Sequence, residues 1–258
     1  MSNKFKAIVI DNQNENFTRQ VKEMDTNSLK DGNVLVKIDY SGLNYKDALI
    51  LNNGGRIVKK YPFIPGIDFS GTVEESEDDK FKKGDKIILT GFRVGEVYFG
   101  GFAGYAKVNS SFLVKTPKEL TNLQTMMMGT AGFTALLCSF AIKAREELLM
   151  GEKVKDVLVT GATGGVGSIA VMVLSKMGYE VHVAETNQIG SSTGSIKNYI
   201  EDAYQNWNNP PEYIVLVGDT GGSYAIPYFS TTWGSSDFDY TLIDGLSLLA
   251  GPVTGKVI

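Results

Sequence analysis

Residues 156–184 constrain the fold of this chain more than any other stretch. "DVLVT" is a short run of β-formers, "GATGGVG" a glycine-rich turn, "SIAVMVLSKMG" an apolar helix and "YEVHVA" a second run of β-formers. Strand, turn, helix and strand in that order make a βαβ unit of the usual size, which pairs two parallel strands through a right-handed crossover. An α/β sheet is therefore required here.

The turn carries the pattern A-x-G-x-x-G on Ala162, Gly164 and Gly167, with Gly165 beside them. Glycines at such points let the backbone approach a pyrophosphate and let the helix pack on the strand, while the helix N-terminus offers amides and partial positive charge. Glycines also serve plain tight turns, and the motif by itself admits both readings. Glu185 ends the second strand, 18 residues after Gly167 (185 − 167). An acid there hydrogen-bonds the ribose hydroxyl of NAD and repels the extra phosphate of NADP. By spacing alone it is equally a surface carboxylate at a strand end.

Residues 1–118 carry a different pattern. "KAIVI", "VLVKIDY", "GTVEE", "DKIILT" and "YAKV" alternate with Gly, Asp and Asn turns, which predicts a β-rich, barrel-like domain, with the tail 251–258 as a candidate extra strand. The mixed-charge run 74–86 reads as a solvated loop. Residues 119–150 take helical spacing, with Met126, Met127 and Met128 expected to fill core. A second domain over 119–250 follows, in which "STGSIKNYIEDAYQNW" predicts a capped helix, "PEYIVLVGD" a third buried strand and 220–245 loop.

Composition removes several function classes. A formal charge of −4 gives no reason to expect nucleic acid or an anionic membrane. No apolar run is expected to span a bilayer and no signal-peptide core is read at the N-terminus, so a cytoplasmic location is expected. Cys138 is the only cysteine and His182 the only histidine. A disulfide within the chain, a zinc site of Cys and His ligands, and a Ser–His–Asp machine are all excluded or unsupported, and no metal is expected. Both residues read as core packing.

"SGLNYKDALIL", "YPFIPGIDFSGTV", "GDKIILTGFRVGE", "GGFAGYAKV", "MGTAGFTALLC" and "VLVTGATGGVGSIAV" occur in that order over the first 178 residues. This stretch resembles the zinc-free medium-chain dehydrogenases/reductases, in particular the acrylyl-CoA reductase and quinone-oxidoreductase branch. Zinc-containing members place a His-Glu pair after the "PG" of the second block, where Ile67 and Asp68 stand here. The resemblance implies a GroES-like barrel domain joined to a Rossmann-like domain, a small-molecule substrate, NADPH as hydride donor to an activated C=C bond, and leaves room for a homodimer. It places Asn44, Tyr45 and Asp68 at the reacting centre, Tyr45 and Thr130 at the nicotinamide, and Thr163, Gly164, Gly165, Val166 and Gly167 at the pyrophosphate. The plain alternative makes Asn44 a turn residue and Asp68 a structural acceptor.

Members of that family follow the second strand with a small-Gly-basic triplet for the NADPH phosphate. Here Glu185, Thr186 and Asn187 stand there, without a cation, so NADH also enters as a candidate. Residues 179–246 ("YEVHVAETNQIGSSTGSIKNYIEDAYQNW", "NPPEYIVLVGDT", "IPYF", "SSDFDYTLIDG") instead resemble an early segment of gingipain-type cysteine peptidases. No His or Cys follows residue 182, so peptidase activity is not expected. The expected fold class is thus α/β: a β-rich barrel plus a truncated, chimeric Rossmann-like parallel sheet, joined near 177–179. The rival functional expectation is a catalytically inactive α/β protein with partial nucleotide binding.

Overall fold

A computed structural model of the chain describes residues 3–13, 16–52, 57–148, 155–184, 186–208, 210, 213–215, 229–231, 234–236, 242–243 and 246–247. Two compact units divide it, Met1–Thr130 and Ala131–Ile258.

In the first unit, β1 (Lys4–Gln13) and β2 (Asn16–Asp25) form an antiparallel hairpin. Alternate residues Phe5, Ala7 and Val9 of β1 are buried with Leu29, Leu35 and Ile64, as a half-covered strand requires. Five antiparallel strands make the main sheet: β3 (Val34–Ser41), β4 (Asp68–Ser76), β5 (Lys86–Thr90), β6 (Tyr105–Val108) and β7 (Val114–Lys115), in the order β6-β3-β4-β5-β7. Val34, Val36, Phe69, Val73, Ile87 and Leu89 form its core. Helix α1 (Tyr45–Leu51) lies between β3 and β4 in the chain. The β-rich expectation holds, although 74–76 belong to β4 and only the rest of the charged run up to β5 is turn.

Helix α2 (Asn122–Leu148) is broken at Gly129, whose φ of 50° and ψ of −154° are not helical. Its first turn is bound to the sheet: the Ser70 hydroxyl donates to the Asn122 carbonyl (2.8 Å), and the Asn122 amide donates to Asp39 (2.7 Å). These bonds carry the first unit to Thr130, beyond the boundary at 118 that the change of periodicity suggests. Of the three methionines only Met126 is core; Met127 is 71% exposed and Met128 36%. Three consecutive residues cannot share one helix face, which is why the core-filling expectation fails for two of them.

The second unit holds a parallel sheet of β8 (Asp156–Thr160), β9 (Glu180–Ala184) and β10 (Tyr213–Val215). All five residues of β8 are buried, as a central parallel strand demands. Helix α3 (Gly165–Met177) joins β8 to β9, and Gly178 closes it in the left-handed region at φ 93°. After a single turn, α4 (Thr186–Ile189), comes α5 (Thr193–Asn206), capped by the Ser192 hydroxyl, which accepts from the Ser195 amide.

Strand order is β10-β8-β9, so the third strand pairs with the first and not with the second. Side chains agree. Val157 and Val159 pack with Cys138, Ile142 and Leu174 of α2 and α3, whereas Leu158 packs with Ile196 and Ile200 of α5 on the opposite face. The three predicted strands and two predicted helices are present. Farther on, short antiparallel pairs, β11 (Phe229–Thr231) with β12 (Gly234–Ser236) and β13 (Leu242–Ile243) with β14 (Leu246–Ser247), occupy part of the stretch read as loop. The tail 251–258 lies outside the described residues.

Candidate functional site

In the first unit, the centre of interest is Asp68, the first residue of β4 and fully buried. Its Oδ2 accepts from the Asn44 side-chain amide (3.0 Å) and from the Thr130 backbone N–H (2.9 Å). Its carbonyl accepts from the Ser41 hydroxyl (2.7 Å). Among the described residues Oδ1 has no hydrogen-bond partner. A buried carboxylate oxygen without a donor is costly and calls for an explanation.

The local chain explains how the carboxylate is held. Gly42 lies so close that a Cβ there would sit 2.4 Å from Asp68 Oδ1. At Gly129 a Cβ would sit 2.8 Å from Oδ2, and the positive φ there breaks the helix and frees the next amide, that of Thr130, for Asp68. Asn44 is the N-cap of α1, and its own N–H donates to Asp47 Oδ2 (2.9 Å). Asp47, also fully buried, accepts the Ile67 N–H on Oδ1 (3.0 Å). One carboxylate thereby ties the residue that contacts Asp68 to the residue that precedes it. Burial pushes the Asp47 carboxyl above its usual range; the two amides pull it back, and the Asp68 charge adds to the rise.

Asn44, Asp68 and Thr130 are thus brought together, and Tyr45, the first residue of α1, follows Asn44 in sequence and is 44% exposed. Asp47, Ser41, Gly42 and Gly129 were given no role by sequence reasoning. The signal for Asp47 was present, since Asn44 and Asp47 have the three-residue spacing of a capping box. Nothing comparable marks Gly42 or Gly129.

The second unit carries the glycine turn between β8 and α3. Gly161 has φ 60°, and the Gly164 N–H donates to the Gly161 carbonyl (2.9 Å). Gly164 is the N-cap of α3 and provides no side-chain acceptor. Thr163, Gly164 and Gly165 are exposed, Val166 half-buried and Gly167 buried. At Gly167 a Cβ would fall 2.3 Å from the Gly161 carbonyl oxygen and 2.9 Å from the Ala162 Cα, so helix and turn can meet only through glycine. The turn is therefore a backbone cradle of the kind a phosphate needs. Glu185, the expected ribose-binding acid, lies outside the described residues; the last described residue before it, Ala184, pairs with Thr160 of β8.

Cys138 is buried in the α2–β8 core, and burial pushes its thiol up, as expected of an inert packing residue. His182 is less simple. It stands in β9 as expected, but its ring is 27% exposed and bonded to Asp156 (2.8 Å), so it is not plain core.

Residues 30–118 fit the model of the alcohol dehydrogenase GroES-like domain, and residues 170–255 fit that of peptidase family C25. The acrylyl-CoA reductase AcuI of Ruegeria pomeroyi is 48% identical over 179 residues, 69% of this chain and 53% of that protein. A putative quinone oxidoreductase of Bacillus subtilis, YhfP, is 42% identical over 73% of this chain and 56% of its own length. Among solved structures, the yhdH oxidoreductase of Salmonella enterica in complex with NADP superposes with a TM-score of 0.65 at 37% identity, covering 82% of this chain and 60% of that one. Bacillus subtilis yhfP with NAD bound gives 0.66 at 38%, covering 83% and 60%. The chain spans about half the length of the curated relatives it resembles. Its fold is α/β, and residues 30–118 are a GroES-like domain of the alcohol dehydrogenase type, with acrylyl-CoA reductases and quinone oxidoreductases as relatives.

Proposed function

We propose that the chain is a nicotinamide-dependent oxidoreductase of the zinc-free medium-chain type, reducing an activated C=C bond in a small substrate such as an acrylyl thioester or a quinone-like compound. The observation that carries the reading is the buried Asp68, fixed by Asn44 and by the Thr130 amide. Similarity at 42–48% to acrylyl-CoA and quinone reductases supports the substrate class.

The glycine cradle fits a dinucleotide pyrophosphate: Thr163, Gly164, Gly165, Val166 and Gly167 would hold it by backbone amides at the start of α3. Tyr45 and Thr130 would flank the nicotinamide. When bound, the reduced nicotinamide supplies the hydride. Hydride arrival at the β-carbon leaves negative charge on the substrate carbonyl, which needs a placed donor, and a proton must reach the α-carbon. In this reading Asn44, held by Asp68, would orient the substrate or a water, and Tyr45 would contact the nicotinamide end of the cofactor. Asp68 would act with Asn44, whose side-chain amide it holds, in orienting the substrate or a water.

NADPH is the proposed cofactor, with NADH admitted because Glu185, Thr186 and Asn187 offer no cation to a 2′-phosphate. The proposed enzyme is placed in the cytoplasm, with room left for a homodimer. The gingipain-like segment would join near 177–179, where α3 ends in the glycine cap at Gly178. A second reading, a catalytically inactive protein, is favoured by one observation. The order β10-β8-β9 departs from the order in which classical dinucleotide domains place their third strand beside the second.

Titration of the purified chain with NADPH and with NADH, followed by nicotinamide fluorescence, separates the readings. Saturable binding together with acrylyl-CoA reduction that falls in Asp68→Asn supports the enzyme. Absence of binding to either nucleotide favours the inactive protein.

A further inference from the structure

We propose that Asp156, Glu180 and His182 form a zinc(II) site at the start of the parallel sheet. The ligand atoms of the three side chains all lie within 4.8 Å of one another. This site stands apart from the glycine turn: Asp156 opens β8 and Glu180 opens β9, whereas the turn follows Thr160 at the far end of β8.

Strand register fixes the arrangement. Asp156 faces Glu180 directly across the parallel pair, and His182 lies two residues beyond Glu180, opposite Leu158. Alternation along each strand puts all three on the face that carries Leu158, Ala184 and α5. The Cα positions are thus set by the ladder, and only side-chain rotation remains to bring the donors together. Trp207, just after α5, packs 5.2 Å from the His182 ring, and Tyr199 packs edge-on against Trp207, giving the imidazole an aromatic wall.

Charge supplies an independent argument. Two carboxylates set opposite each other on one sheet face repel, and Asp156 is nearly buried, with its side chain 7% exposed. Among the described residues neither carboxylate has a lysine or arginine ion-pair partner; the bond from His182 Nε2 to Asp156 Oδ1 at 2.8 Å is the one compensation present. A divalent cation answers that deficit with a donor set of one imidazole nitrogen and two carboxylate oxygens, which suits zinc with its fourth position left to water. Tetrahedral coordination spaces ligand atoms roughly 3.4 Å apart, so the histidine and aspartate must open slightly and exposed Glu180 swing inward. One histidine suffices here, which is why excluding a Cys and His zinc site from the composition does not exclude this one.

The test is calorimetric titration of the chelator-treated full chain with zinc chloride, paired with nitrogen NMR of the single imidazole. A single saturable site per chain, with the His182 ring signals shifting as it fills, is the expected result. Affinity should fall by about tenfold or more in His182→Ala and in Glu180→Gln. Circular dichroism checks the fold, and Glu180→Gln, at an exposed position, keeps the test open should His182→Ala misfold. No binding, or binding unchanged in a folded Glu180→Gln with unmoved His182 signals, overturns the site.

Discussion

The two halves of the proposed machinery are built by opposite means. Around Asp68 the first unit uses side chains: a buried carboxylate, a second carboxylate at Asp47, an amide from Asn44 and a hydroxyl from Ser41. At the glycine turn the second unit uses almost none, and its shape follows from Gly161, Gly164 and Gly167. The difference teaches where each can fail. A side-chain cluster fails one hydrogen bond at a time and can lose activity before it loses the fold. A backbone cradle has no partial state, because an added methyl group meets main-chain atoms that have nowhere to go.

Gly167→Val should therefore cost most, about 3 kcal/mol or more, since its side chain would strike the Gly161 carbonyl and the Ala162 backbone. Urea unfolding measures it; a cost under about 1 kcal/mol would end the claim that the cradle tolerates no side chain. Asp47→Ala comes next, at about 3 kcal/mol, because it strands the buried amides of Asn44 and Ile67 together. Its pH dependence sharpens the comparison. The Asp47 carboxyl titrates above its unfolded value, so its buried charge counts against the fold at neutral pH. Its contribution to stability should improve as pH falls through that raised value, a trend absent from Asp47→Ala in pH-dependent unfolding.

Gly129→Ala should cost about 2 kcal/mol, from the positive φ and from contact with Asp68 Oδ2, and should lower reductase turnover more than stability. Equal losses of both would make Gly129 a folding residue only. Asp85→Asn is the smallest effect, below about 0.5 kcal/mol, because the Lys115–Asp85 pair is partly exposed and screened. The Lys115 hydrogen bond, then the Lys82 amide, hold this carboxyl below its usual range. That small stabilisation is present above the ordinary carboxylate value and disappears as pH falls below it, opposite in sign to Asp47; thermal melts from pH 7 to pH 3 check it.

Much of this was legible in the sequence because it is local. The βαβ unit announces itself by a change of period around "GATGGVG", and Ser192 caps α5 where the Ser/Thr signal stands. Asn44 and Asp68 were found through family blocks, not through chemistry visible in the residues themselves. What the sequence hid is non-local. The pairing of β10 with β8 depends on which strand edge is free, a choice no window of residues records. The pressure of Gly42 and Gly129 on Asp68 joins positions far apart in the chain, and an isolated glycine does not say what it touches. His182 read as core because period-2 alternation does not report a carboxylate on the neighbouring strand.

The two glycines around Asp68 also restrict how this chain can evolve. Positions 42, 68 and 129 share one small volume, so the effect of a change at any one depends on the other two. Alanine at 42 is blocked while aspartate stands at 68, yet the space for it opens once a smaller residue replaces that aspartate, whereas the positive φ at 129 favours glycine whatever stands at 68. Loss of the acid would then open the way to methyl groups that bar its return, and the step would be a one-way gate in sequence space. A descendant that has given up Asp68 should be recognisable by alanine or serine at 42, written in the chain after the carboxylate itself is gone.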